Sequence, residues 1–146
     1  MTAIPRLTYF NFRGLGEPIR LLLADLDVAF EDYQMDFDAW AALKPQMPFG
    51  QVPMLEIDGR TLVQSQAILR HLARSHGLDG ADEASRIACD IAAEAVRDAQ
   101  NALFEHFWAD GPLAPEAVAA FEAGGLADWG QTLAWARRKP RIGSNP

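Results

Sequence analysis

The segment that most restricts how this chain can fold is Val52-Pro53-Met54-Leu55-Glu56-Ile57, Asp58-Gly59, Arg60-Thr61-Leu62-Val63. Two short apolar-rich runs separated by Asp-Gly predict a β-hairpin, because a tight turn of this kind needs positive φ and Asp-Gly tolerates it. Ser65 follows as an expected N-cap, and Ile68, Leu69 and Leu72 form the buried side of a helix ending near Gly77. Pro53 is the anomaly. A proline removes a ladder donor from its strand, so a special role accounts for it better than ordinary pairing does.

Upstream, residues 7–12 alternate and are rich in aromatics, which predicts a short strand. Gly14, Gly16 and Pro18 end it, and Pro18 suits the first turn of a helix. The stripe Ile19, Leu22, Leu23 and Leu26 then recurs at helical spacing. Residues 28–36 read as a second strand, with Tyr33 and Met35 on one parity, and residues 38–47 as a partly helical stretch ending at Pro48-Phe49-Gly50. The predicted order is β-α-β followed by β-β-α. Residues 77–82 read as a linker, and residues 83–108 as one long Ala-rich helix stopped by Asp110-Gly111-Pro112. Residues 114–121 are helical again, before Gly124-Gly125.

Charge narrows the function classes. With a formal net charge of -7, the surface repels a phosphate backbone or an anionic bilayer, so neither nucleic acid nor membrane is an expected partner. The basic run at residues 137–141 reads as a solvated tail. Cys89 is the single cysteine, so no internal disulfide, Cys-x-x-Cys pair or thiolate zinc site is available. His71, His76 and His106 have no companions at metal-ligand spacing, and no metal is expected. The first residues, Met1 to Arg6, lack the basic-then-apolar layout of a secretory leader, and no apolar run is long enough to span a bilayer. The expected compartment is the cytoplasm.

Three words carry a family resemblance. Tyr9-Phe10-Asn11-Phe12-Arg13-Gly14 with Gly16-Glu17-Pro18-Ile19-Arg20 resembles the first strand and helix of cytosolic glutathione transferases. Pro48-Phe49-Gly50-Gln51-Val52-Pro53-Met54-Leu55 and Leu62-Val63-Gln64-Ser65-Gln66-Ala67-Ile68 resemble the two segments that hold glutathione in that family. Together, in order and at family-like spacing, they cover about residues 5–110 and look closest to the sigma class, with alpha, mu and pi as relatives. The resemblance implies an α/β thioredoxin-like glutathione-binding domain over residues 1–79. It also implies a short all-helical domain over residues 83–146, and a homodimer.

It further implies a division of labour. Glutathione's thiol ionises near pKa 8.5 unless perturbed, so little thiolate is present at neutral pH. Tyr9 matches the tyrosine whose hydroxyl stabilises the thiolate; unaided, it reads as a half-buried packing residue. Ser65, at the start of a helix, matches the site of the γ-glutamyl carboxylate, with Gln64 beside it; a plain helix cap is the simpler reading, and both can hold at once. Val52 and Pro53 match a cis turn that offers backbone groups to the cysteinyl part. Trp40 and Lys44, four residues apart, match donors for the glycyl carboxylate, and Gln51 matches a further contact. Read alone, Lys44 is a surface lysine. Asp98 matches a residue reaching the partner subunit's glutathione, although Asp90, Glu94 and Asp98 also read as an acidic solvent face.

Two departures qualify the match. Leu15 stands where several relatives carry a basic residue near the sulfur, which shifts thiolate activation further onto Tyr9. Beyond about Phe121 the alignment fades, and residues 83–146 hold fewer helices than a full family member. The leading expectation is a transferase joining glutathione's thiolate to small hydrophobic electrophiles, or an isomerase or peroxidase using the same thiolate. The alternatives are a non-enzymatic binding or structural protein and an inactive truncated fragment.

Overall fold

The computed structural model describes residues 4–107. The chain divides between Gly77 and Leu78 into two compact units. The first contains β1 (Arg6–Phe10), α1 (Glu17–Asp25), β2 (Glu31–Met35), α2 (Phe37–Leu43), two 3-10 turns (Lys44–Gln46 and Pro48–Gly50), β3 (Met54–Ile57), β4 (Arg60–Val63) and α3 (Ser65–Ser75). The second, as far as it is described, contains α4 (Glu83–Phe107).

The four strands form one mixed sheet in the order β2-β1-β3-β4. β1 runs parallel to β2 and antiparallel to β3, and β3 pairs with β4 as a hairpin. The parallel pair requires a crossover, which α1 supplies. At the hairpin tip Asp58 and Gly59 adopt φ of 50° and 71°, the left-handed values the Asp-Gly step was expected to provide. This is a βαβ-ββα unit, a thioredoxin-like fold.

The core follows from strand parity and helix stripe. Leu7 on β1 stands opposite Leu55 on β3 in register, and both are fully buried. Ile19 and Leu23 of α1 and Ile68 and Leu72 of α3 complete the same buried cluster, with Leu22, Val28 and Leu69 packed against it. Both helices therefore pack on the sheet face that carries Leu7 and Leu55. Burying a leucine or isoleucine side chain contributes roughly 1.5–3 kcal/mol relative to exposure.

Two predicted boundaries shift. β2 begins at Glu31, not residue 28: Val28 instead donates its N–H to Leu23 O and closes the end of α1. Pro53 lies just before β3 rather than within it, so the ladder loses no donor. In the second unit, Asp82 Oδ1 accepts the Ser85 N–H at 2.7 Å and also its hydroxyl, satisfying a free amide in the first turn of α4. Among the described residues no helix is long and apolar enough to cross a membrane.

Candidate active site

Tyr9 lies at the carboxyl end of β1 on the same parity as Leu7, and only 5% of its surface is exposed. The chain then turns back over it through residues 11–16. The Leu15 N–H donates to Tyr9 Oη at 2.9 Å. That bond occupies one side of the phenol oxygen and leaves its proton available to an acceptor. A Cβ built at Gly14 would collide with Tyr9 Oη, and one built at Gly16 with the tyrosine ring. Glycine is required at both positions because the loop backbone lies directly on the phenol. Burial pushes the Tyr9 phenol above its ordinary value, opposed by the Leu15 N–H and the Arg20 charge. The hydroxyl therefore keeps its proton at neutral pH and is a donor.

Arg20, one turn into α1, organises the same corner. Its Nε donates to both Asp32 oxygens at 3.1 and 2.9 Å, Nη1 to Phe12 O at 3.1 Å and Nη2 to Phe10 O at 2.9 Å. Nη1 also meets Glu17 Oε2 at 3.3 Å. The guanidinium carbon stands 5.7 Å from the Tyr9 ring centroid.

An aromatic group connects Tyr9 to α2. The Tyr9 ring meets Phe10 and Phe12 edge-on at 5.5 and 5.7 Å, and those two stack at 5.1 Å. Phe10 also meets Phe37 at 5.1 Å and Trp40 edge-on at 5.7 Å. Trp40 is thus fixed, half-buried, on a helix capped by Asp36, whose Oδ1 accepts the Ala39 N–H at 2.8 Å. Lys44 is exposed and closes α2 as its C-cap. The expected helical face shared with Trp40 therefore ends there, in a 3-10 turn where Pro45 cannot continue the α-helical ladder.

The remaining predicted residues lie just before β3 and at the start of α3. The Val52-Pro53 bond is cis, as expected, and Pro53 is buried. Gln64 Nε2 donates to Gln51 Oε1 at 3.3 Å, joining two predicted contacts that are 13 positions apart in sequence. Ser65 is buried, but it is not the N-cap. Gln64 holds that place, with φ 68° and ψ 109° and no side-chain capping bond, and Ser65 is the first residue of α3. The positive φ at Gln64 puts the cap there, so the helix begins one residue earlier than a Ser65 cap would give. The amide donors at the start of α3 remain a favourable place for an anion.

Asp98 lies exposed on α4, as do Asp90 and Glu94. Among the described residues no cluster of His, Cys, Asp and Glu could hold a metal ion. The side chain of His106 and all of residues 108–146, including the expected helix at 114–121, lie outside what the structure describes. The sequence reading did not single out Arg20, Phe12, Phe37 or the Leu15 amide. Arg20 and Phe12 stood only within the words that carry the resemblance, with no role attached.

A four-stranded mixed sheet with α1 crossing between its parallel strands defines a thioredoxin-like domain, with a buried phenol at the end of its first strand and a buried serine opening α3. Comparison with known proteins finds that residues 5–74 match the glutathione S-transferase N-terminal domain. Among curated relatives, a Glutathione S-transferase P of Caenorhabditis elegans is 52% identical over 93 residues, covering 64% of this chain and 45% of its own. The hematopoietic prostaglandin D synthase of Rattus norvegicus is 40% identical over 93 residues, covering 64% and 47%. Among solved structures, a Pi-class glutathione S-transferase of Onchocerca volvulus superposes with a TM-score of 0.81 at 37% identity, covering 90% of this chain and 64% of its own. The chain spans about half the length of the curated relatives it matches.

Proposed function

We propose that the chain binds glutathione and that Tyr9 donates a hydrogen bond to its sulfur, holding it as a thiolate that attacks small hydrophobic electrophiles. The observation that carries this is the buried Tyr9 hydroxyl, whose oxygen already accepts from Leu15 N–H and whose proton is free to be given. Lowering a thiol pKa by about 2 units requires roughly 2.7 kcal/mol of preference for the anion. One hydrogen bond to a charged acceptor is worth about 1.5–3 kcal/mol, so a single phenol supplies most of that.

The rest of the ligand fits around that point. The γ-glutamyl carboxylate sits at the start of α3, on Ser65 and beside Gln64. The cysteinyl backbone pairs with Val52 before Pro53. The glycyl carboxylate meets Trp40 and Lys44, and Gln51 closes the site through its bond to Gln64. The prostaglandin D synthase among the relatives supports a sigma-like affinity, and the nematode transferases support the transferase reading. Residues 1–79 form the glutathione-binding domain and residues 83–146 belong to the helical one. The protein acts as a cytoplasmic homodimer in which Asp98 reaches the partner's glutathione.

Calorimetry with glutathione, followed by thiolate absorbance against pH for the wild type and Tyr9→Phe, tests the proposal. Binding is expected in both proteins, with the bound thiol pKa raised in the variant. No heat of binding to the folded protein, or an unchanged thiol pKa, rejects it. Turnover of a generic aryl halide then separates an enzyme from a binding protein.

A further inference from the structure

We infer that Arg20 is a positioning residue for Tyr9, clamping the strand end that carries the phenol and presenting positive charge to its ring. The inference rests on the reading of Tyr9 as the thiolate's donor. Arg20 is 13% exposed at its side chain, and apart from its contact with Glu17 its bonds go to the strand end that carries Tyr9 and to the strand paired with it. Its two terminal nitrogens hold Phe10 O and Phe12 O, the carbonyls one and three residues after Tyr9. Its Nε is anchored on Asp32 of β2, the strand paired with β1. The loop returning from Phe12 then delivers the Leu15 N–H to Tyr9 Oη. Arg20 therefore sets both the height of the strand end and the start of the loop that completes the phenol's hydrogen bonding.

The charge acts on the same group. At 5.7 Å from the ring centroid, the guanidinium favours negative charge developing on the phenol oxygen. The Tyr9 phenol is pulled down by Arg20 against the effect of burial. A phenol with a lower pKa is a stronger hydrogen-bond donor to a thiolate. The charged groups around it are few. Glu17 and Arg20 lie on α1 and Asp32 on β2, while Arg13 of the loop is exposed. Gln34 and Met35 of β2 and Met54 of β3 are neutral. Leu15 offers only its backbone amide. Asp32 and Glu17 partly neutralise Arg20, which gives the inference a test that a purely architectural arginine does not pass.

The test uses the full chain, tyrosinate absorbance without ligand and thiolate absorbance with glutathione bound. The chain has two tyrosines, so subtracting Tyr9→Phe isolates the Tyr9 titration from that of Tyr33. Arg20→Gln is expected to raise the phenol pKa and the bound thiol pKa, each by about one unit. Arg20→Lys keeps the charge without the planar fork and is expected to recover part of that shift. Asp32→Asn loses the same ion pair but leaves the guanidinium less neutralised, so both pKa values are expected to fall.

Opposite directions for Arg20→Gln and Asp32→Asn support the inference. Shifts in the same direction, or none, overturn it and reduce Arg20 to a structural clamp. If Arg20→Gln does not fold, Asp32→Asn alone decides, since an unmoved phenol overturns the electrostatic role. A Tyr9→Phe variant with an unchanged thiol pKa removes the proposed donor and this inference with it. An intact Tyr9 effect with unresponsive Arg20 and Asp32 variants removes this inference alone.

Discussion

The Leu15 amide donates to the Tyr9 hydroxyl oxygen at 2.9 Å, across a six-residue loop whose two glycines lie against the phenol. This contact places the predicted catalytic group. The oxygen's acceptor side is filled by the backbone, and the ring has little freedom to rotate the hydroxyl away.

Gly14→Ala and Gly16→Ala are expected to separate placement from packing. At Gly14 a methyl meets the hydroxyl itself and the backbone sits at φ 41°, so the variant should lose glutathione thiolate formation. At Gly16 it meets the ring carbons in a fully folded corner. Overpacking of that kind costs about 1–3 kcal/mol. Urea denaturation should show the larger loss of stability for one or both, and thiolate absorbance the loss of ionisation. Wild-type thiolate formation in Gly14→Ala would contradict the geometry described.

The alkaline limit of stability should carry a Tyr9 signature. In the unfolded chain the phenol releases its proton near pH 10, whereas burial holds it to a higher pH in the fold. Between those values the native state binds more protons, so stability falls as pH rises through that window. Near neutrality both states are protonated and the group contributes no slope. The urea midpoint of the wild type minus that of Tyr9→Phe is expected to be flat up to about pH 10 and to decline above it.

Asp36→Ala removes the acceptor for the Ala39 N–H at the start of α2. Loss of an N-cap costs about 0.5–2 kcal/mol, most of it local to the helix. Because α2 carries Trp40 against Phe10, the variant should weaken glutathione binding several-fold while leaving Tyr9's titration alone. Hydrogen exchange of the α2 amides should rise in step. Unchanged exchange there would show that the cap is not what holds α2.

Leu55→Ala empties a fully buried position on β3 opposite Leu7. A loss of about 2–5 kcal/mol is expected from transfer and cavity effects together. Leu21, 63% exposed on α1, is the control, and Leu21→Ala should stay within roughly 0.5 kcal/mol of wild type. Equal losses at both positions would mean the core is not where the helix stripe puts it.

Much of this protein was determined by the sequence alone, wherever the deciding interactions span a few residues. Asp58-Gly59 specified the hairpin through backbone φ, the Ile19–Leu23 stripe specified the face of α1, and Tyr9, Gln51 and Ser65 were legible as site candidates from their flanking words. Boundaries were less legible: Val28 was recruited to close α1, and the cap before α3 fell on Gln64. Tertiary structure alone decided what surrounds Tyr9. Arg20 and Asp32 lie 12 positions apart and meet only because α1 crosses between parallel strands. Phe37 and Trp40 reach Phe10 only after β2 has returned beside β1. No local propensity encodes such contacts, since chain closure brings them together and the buried core, not the contacts themselves, stabilises the closure.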